Sequence, residues 1–283
     1  MITSRGCPYQ CSYCFNHAYN RLYNTSGRVR RRSVDNVIQE IQQLKQEFPL
    51  KMVIFQDDTF ILDKPWLQEF SGKYKKEVGV PFRCMVHPAH IDAQAVALLK
   101  EAGCTMVGMG IECADEFYLQ KILKRNLTLE QIYQAAQMIR KQSISLRTHN
   151  LLGLPGAGWD VELKTIQANI RCRPALARAS VASFYPRTDM YDLARQQGLV
   201  QEGFKSHFSG SNWVLDRGQG GLIEQGRLDN LSCLFPLLVR FPFLTVFAKQ
   251  LIRLPLKGVF SLINRFCETG FLYLRAKTLG DDE

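Results

Sequence analysis

Short apolar runs alternate with amphipathic stretches from residue 2 to about residue 198. Ile2–Ser4 predicts a clipped first strand. From Ser33, a residue suited to a helix N-cap, Val34, Val37, Ile38, Ile41 and Leu44 share one helical face, predicting a helix to about Glu47. Met52–Gln56 is a short apolar strand running into Asp57-Asp58-Thr59, and Pro65–Val78 reads as a helix. The pattern then repeats. Strand Pro81–Val86 precedes helix Asp92–Ala102, stopped by Gly103. Strand Thr105–Ile111 precedes helices Asp115–Leu123 and Leu129–Lys141, the second capped by Thr128. Strand Ser143–Leu152 precedes helix Asp160–Ile170, and strand Ala179–Tyr185 precedes the short helix Met190–Gln197. Six β/α units of this kind predict an α/β fold with a parallel sheet and right-handed crossovers. Such folds build their sites from loops after strand C-termini. Here polar signals collect in those loops, at Asp57, Asp58, Glu112 and the Gly153 turn.

The alternation ends near residue 198, which closes the expected core domain, residues 1–198. Residues 199–230 are polar, with glycines at 203, 210, 218, 220, 221 and 226, and read as a loop or lid. Residues 231–283 read as a basic, apolar helical tail. Leu244, Phe247, Leu251 and Leu254 recur at helical spacing, and Pro236, Pro242 and Pro255 divide the segment. Leu231–Ala248 reaches transmembrane length, but Arg240 and two prolines interrupt it. The tail is expected to pack on the core, with an in-plane membrane helix as the second reading.

Composition changes the picture in two places. The net charge of +10 is uneven. Residues 1–32 hold six arginines and no acid, and residues 231–280 hold seven Lys or Arg against Glu268 alone. Basic surfaces attract nucleic acid, anionic lipid or phosphorylated substrates, or are solvated faces. The Arg28–Arg32 run is expected on an exposed loop. The nine cysteines are too few and too irregularly spaced for a disulfide scaffold. Cys84, Cys104, Cys113, Cys172, Cys233 and Cys267 stand singly and read as structural.

Cys7, Cys11 and Cys14 differ. They lie in the polar run Gly6-Cys7-Pro8-Tyr9-Gln10-Cys11-Ser12-Tyr13-Cys14, spaced C-x3-C-x2-C. Soft sulfur ligands select iron–sulfur clusters, zinc or copper. Structural zinc wants four ligands, commonly from paired C-x2-C units, and no second pair exists here. On a cubane cluster three ligands leave one iron open to a small molecule.

With Tyr13 before the last cysteine, the run resembles the C-x3-C-x-aromatic-C signature of radical S-adenosylmethionine (SAM) enzymes. The flank Thr3-Ser4-Arg5-Gly6-Cys7-Pro8 resembles the subgroup that carries a cobalamin-binding domain ahead of the radical domain. The resemblance implies an open (β/α)6 partial TIM barrel with a C-terminal helical extension. It implies a [4Fe-4S] cluster on Cys7, Cys11 and Cys14, and SAM chelating the open iron. It further implies reductive cleavage of SAM to a 5′-deoxyadenosyl radical that takes hydrogen from an organic substrate, with methyl transfer, rearrangement and ring formation all open.

Position by position, Tyr13 matches the aromatic near the adenine. Asp57 and Asp58, in Gln56-Asp57-Asp58-Thr59-Phe60, match the group facing the methionine amino end; helix capping or a turn is the competing reading. Gly110-Ile111-Glu112 resembles the family's Gly-Ile-Glu-Ser, with Cys113 replacing serine and weakening any hydroxyl contact there. Gly153-Leu154-Pro155-Gly156 resembles a Gly-x-Pro-Gly turn against the adenosine, continuing Ala157-Gly158 where the family often has Glu-Thr. Leu151 would meet the adenine, and Tyr185 resembles the adenine-contacting position after the last strand, with Arg187-Thr188 where Pro-Gly-Thr is expected. His149 is the candidate for moving protons at the substrate, ahead of His87 and His90.

The resemblance implies an electron donor such as flavodoxin or ferredoxin and a reducing, cytoplasmic setting; no signal peptide is read in the first residues. The tail adds a lipid-like substrate and peripheral membrane contact as expectations. The cobalamin domain of the subgroup is not among these 283 residues, so cobalamin stays an expectation of the resemblance. Two rivals remain: a zinc-binding module with a basic nucleic-acid surface, and a tRNA-modifying radical SAM enzyme. Nucleic acid is disfavoured as a partner, since no RNA-binding module is recognisable.

Overall fold

The computed structural model describes residues 1–25, 27–200, 206–209, 212–215 and 223–278. The strands are β1 (Ser4–Arg5), β2 (Arg30–Arg31), β3 (Val53–Ile54), β4 (Phe82–Val86), β5 (Cys104–Glu112), β6 (Ser145–Leu152), β7 (Leu176–Val181), β8 (Ser206–Ser209) and β9 (Asn212–Leu215). The helices are α1 (Phe15–Tyr23), α2 (Val34–Glu47), α3 (Lys64–Glu77), α4 (Ala93–Glu101), α5 (Leu129–Lys141), α6 (Trp159–Cys172), α7 (Asp189–Gln196), α8 (Gln225–Arg240), α9 (Ala248–Leu251) and α10 (Lys257–Thr278). The main sheet has the order β3-β4-β5-β6-β7. β4 runs parallel to both β3 and β5, as a strand–helix alternation demands.

The expected first strand, Ile2–Ser4, does not join the main sheet, which has five strands, and only Met1 meets the end of β3. The Met1 amino group donates to the Ile54 carbonyl at 2.7 Å, and the Gln56 N–H donates to the Met1 carbonyl at 2.8 Å. The chain then turns away, and β1 pairs antiparallel with β2. This corrects the expectation of an exposed arginine loop. Arg30 and Arg31 are a strand, and Arg31 is half-buried with its guanidinium 4.5 Å over the Trp66 ring. Burial holds the Arg31 pKa below its ordinary value.

The chain divides into two units. The first holds residues 1–9, 20–110 and 127–147. Its core is aromatic: Phe55, Phe60, Phe70, Tyr74 and Phe82 are buried with ring centroids 4.8–6.2 Å apart. α2, α3 and α4 are capped by Ser33, Asp63 and Asp92 as their sequences require. Thr128 and Gln131 form a complete capping box on α5.

The second unit holds residues 10–19, 111–126 and 148–283. In one of its clusters Leu228, Leu231, Leu234, Phe235 and Leu238 of α8 pack with Leu152, Ile166, Ala177 and Ala179. The tail therefore packs on β7 and α6 as expected. Strand β7 begins three residues before the expected start. Arg173, at φ +48°, ends α6 in the left-handed region and turns the chain into the strand early. Where a helix was expected at Asp115–Leu123 the chain makes a π-helical turn, Tyr118–Ile122. Within the expected loop or lid, β8 and β9 form an antiparallel pair. Residues 201–205, 210–211 and 216–222 of that expectation lie outside the described residues.

Candidate radical SAM site

The candidate residues outside the cysteine loop lie on, or just past the C-terminal ends of, β3, β5, β6 and β7 of the main sheet. In the first unit, the approach to Cys7 depends on Gly6. It sits at φ +100°, where a Cβ would lie 2.4 Å from the Arg28 carbonyl oxygen, so any other residue displaces β2 or the loop. Beyond it, the Cys7 carbonyl accepts from Asn20 Nδ2 at 2.9 Å.

Asp57 follows β3 and is 1% exposed. The Thr3 N–H donates to both of its carboxylate oxygens, at 3.2 and 3.0 Å. The Thr3 hydroxyl donates at 2.7 Å and the Ser4 hydroxyl at 2.5 Å. Asp57 thus ties the chain just before the cysteine loop to the end of β3. Its neighbour Asp58 is exposed, a placement that alternation along an extended segment produces without further cause.

Tyr9, between the first two cysteines, stacks on His87 past the end of β4, with centroids 3.9 Å apart and planes at 16°. Its hydroxyl lies 2.5 Å from His90 Nε2. Burial, helped by Lys64, holds the His90 pKa below its ordinary value and favours the neutral imidazole, whose tautomer sets which partner donates in this hydrogen bond.

In the second unit, Tyr13 and Glu112 meet on Arg125. Arg125 Nη1 donates to the Tyr13 hydroxyl at 2.9 Å and pairs with Glu112 Oε1 at 3.5 Å. Burial raises the Glu112 carboxyl above its ordinary pKa, and the Arg125 charge opposes that rise. Burial likewise raises the Cys11 thiol, again opposed by Arg125. One buried cation therefore faces a cysteine, a phenol and a carboxyl. Glu112 reaches this arrangement at φ +66°, a backbone region that costs a non-glycine residue about 1–3 kcal/mol. Ser12 fixes the loop between Cys11 and Tyr13: its N–H donates to the Leu123 carbonyl at 3.0 Å, its hydroxyl to the Ile122 carbonyl at 2.5 Å, and its carbonyl accepts from the Met190 N–H at 3.0 Å.

Along β6 the side chains alternate. Thr148 and Asn150 turn to Asn169 of α6, at 2.6 and 3.3 Å. His149 and Leu151 therefore lie on the opposite face of the strand. The turn beyond is held by a buried carboxylate, Glu162 Oε1, which accepts the Gly153 N–H at 2.6 Å. Pro155 is buried, and Gly156 is exposed beside the Tyr118 hydroxyl and Gln197. Tyr185 is exposed, and its carbonyl accepts the Thr188 hydroxyl at 2.6 Å at the start of α7. Cys113 is fully buried with its thiol pushed up to about 11 by burial; its sulfur accepts the Asp115 N–H at 3.4 Å. It belongs to the core and offers nothing to a ligand.

Sequence reasoning passed over Arg125, Tyr9 and Glu162, and took Thr3 and Ser4 only as the flank of the cysteine run. Of the first three, Tyr9 alone carried a signal, its place between two cysteines. Among the described residues no three His, Cys, Asp or Glu side chains lie close enough to hold a metal ion. The fit of an iron–sulfur cluster therefore rests on the donor set: three cysteines outside any disulfide, Cys7, Cys11 and Cys14, within eight residues of a glycine-fixed loop.

The profile of the Radical SAM superfamily matches residues 1–167. An uncharacterized methyltransferase of Pyrococcus horikoshii is 28% identical over 205 residues, 71% of this chain and 42% of that protein. The cytidylyl-2-hydroxyethylphosphonate methyltransferase of Streptomyces wedmorensis is 26% identical over 210 residues, 72% of this chain and 38% of that protein. The chain thus spans about two-fifths of the length of these relatives. Among solved structures, the radical SAM methyltransferase TsrM of Kitasatospora setae, with cobalamin and a [4Fe-4S] cluster bound, superposes with a TM-score of 0.61 at 19% identity. That match covers 75% of this chain and 39% of TsrM, and it shares the partial-barrel fold. With the profile match over more than half its length, this chain belongs to the radical SAM superfamily, whose cofactors are a [4Fe-4S] cluster and SAM.

Proposed function

We propose that Cys7, Cys11 and Cys14 hold a [4Fe-4S] cluster and that the strand-end residues hold SAM for radical chemistry on an organic substrate. The observation that carries this reading is the C-x3-C-x-Tyr-C loop, entered through a glycine that no other residue replaces without a clash. When bound, the cluster and SAM supply a 5′-deoxyadenosyl radical that abstracts hydrogen. The chain's own residues do the rest. Asp57 braces the loop, and exposed Asp58 accepts from the methionine ammonium. Arg125 fixes Tyr13 toward the adenine and keeps Glu112 as a buried acceptor for ribose hydroxyls. Glu162 shapes the Gly153-Leu154-Pro155-Gly156 turn, whose backbone, with Leu151 and Tyr185, lines the adenosine. His149 moves a proton at the substrate. Both relatives named above are methyltransferases, which favours methyl transfer as the net reaction; none of this chain's residues is proposed to hold cobalamin. The reductive step draws on a flavodoxin- or ferredoxin-type donor. A lipid-like substrate is supported by the apolar tail alone.

Anaerobic reconstitution with iron and sulfide, followed by dithionite and SAM, tests the reading. The expected results are four irons and four sulfides per chain and release of 5′-deoxyadenosine, with both lost on Cys11→Ser. A folded, cluster-loaded protein that releases no 5′-deoxyadenosine refutes the reading, and so does one bound zinc.

A further inference from the structure

We propose that the outer face of the C-terminal helices docks on an anionic lipid surface. α10 carries two apolar stripes. Phe260, Ile263 and Cys267 turn inward; Phe260 is buried in the cluster with α8, Ile263 packs against it, and Cys267 is buried as well. Val259, Leu262 and Phe266, spaced by three and four residues, form the second stripe and face solvent, with Leu262 66% and Phe266 74% exposed. The 3₁₀ turn Pro242–Phe247 does the same: Phe243 is 67% and Val246 75% exposed. Single exposed apolar residues are ordinary, but a repeated stripe on a helix whose inner face is already satisfied has no folding role.

Charge identifies the occupant. No acidic residue occurs between Asp229 and Glu268, while Arg240, Lys249, Arg253, Lys257 and Arg265 all lie in that interval and are exposed. The two flanking acids are taken: Asp229 pairs with Lys257 at 2.8 Å and Glu268 with Arg178 at 3.2 Å. A partner must therefore be apolar and anionic together. A bilayer interface offers both, headgroup phosphates for the cations and acyl chains just below for the rings. No helix among the described residues is long and apolar enough to cross a membrane, so the contact lies in the plane of the surface.

Flotation of the full chain with phosphatidylcholine vesicles, with and without phosphatidylglycerol, tests this. The expected result is binding to the anionic vesicles only, weakened by salt. Arg253→Gln and Arg265→Gln each lower the partition coefficient about fivefold. The double variant Phe243→Ser/Phe266→Ser lowers it about tenfold or more. Both sets leave the melting temperature unchanged, because the side chains are exposed. Equal binding to neutral vesicles, or undiminished binding by the serine variant, overturns the proposal. So does a lipid-free dimer, seen by analytical ultracentrifugation, that the serine variant dissociates; that result gives the face to a second copy of the chain. None of these readouts uses the cluster, so failure here leaves the radical SAM reading untouched.

Discussion

Two adjacent carboxylates after β3 have opposite environments, and substituting each in turn separates scaffold from ligand contact. Asp57→Ala leaves the Thr3 N–H, the Thr3 hydroxyl and the Ser4 hydroxyl without their acceptor, and Thr3 is 0% and Ser4 6% exposed. Each stranded buried donor costs about 1–3 kcal/mol. With water reaching the more exposed Ser4, the expected loss is about 3–5 kcal/mol, a large part of the roughly 5–15 kcal/mol of a typical domain. Asp57→Asn keeps one acceptor oxygen and turns an amide N–H₂ onto a donor, so about 1–3 kcal/mol is expected. Asp58→Asn changes an exposed group, and its effect on stability should stay within about 0.5 kcal/mol. Urea unfolding followed by circular dichroism reads the stabilities. Equilibrium dialysis of SAM against reconstituted protein, well below the transition, reads binding. The expected outcome is a crossed pattern: Asp57→Asn loses stability and keeps SAM affinity, while Asp58→Asn keeps stability and loses affinity. Parental stability with lost SAM affinity in Asp57→Asn would refute the assignment of Asp57 to the scaffold.

Two other substitutions probe the groups around the cysteine loop. Arg125→Met strips the buried Glu112 carboxylate of its cation and should cost about 3–5 kcal/mol in urea unfolding, with more than half recovered in the double variant Arg125→Met/Glu112→Gln, where no lone charge remains. For His90 the sign follows from its lowered folded pKa: the unfolded chain takes up the proton first, so stability is full above the ordinary value near 6.5 and falls as pH drops through that value toward the folded one. Urea midpoints measured across this window should slope downward for the parent and flatten for His90→Gln; an unchanged slope sinks the neutral assignment.

How much was legible follows from the range of the interactions. The candidate cysteines are picked out by spacing along eight residues, and the strand–helix order by periodicity over ten or twenty, so both could be read from local pattern. α1 was missed because Phe15, Tyr19, Leu22 and Tyr23 are exposed and no capping residue announces the helix. β8 and β9 were missed because the flanking segment is rich in glycine, which reads as loop.

The groups that brace the candidate residues act at long range, and no local pattern reports them. Arg125 reaches Tyr13 across 112 positions, and Thr3 reaches Asp57 across 54. Asp57 and Asp58 are chemically identical in the sequence, and only the fold assigns one to the scaffold and leaves the other to solvent. The left-handed backbone of Glu112 is invisible in the same way, since glutamate has no preference for it. Paying for that conformation makes sense only if the carboxyl must stand beside Arg125. On that logic, Glu112→Gly, which relaxes the backbone and deletes the carboxyl, gains backbone ease yet strands the Arg125 cation, and the second effect is the larger: about 3–5 kcal/mol for an unpaired buried charge against about 1–3 for the strain relieved.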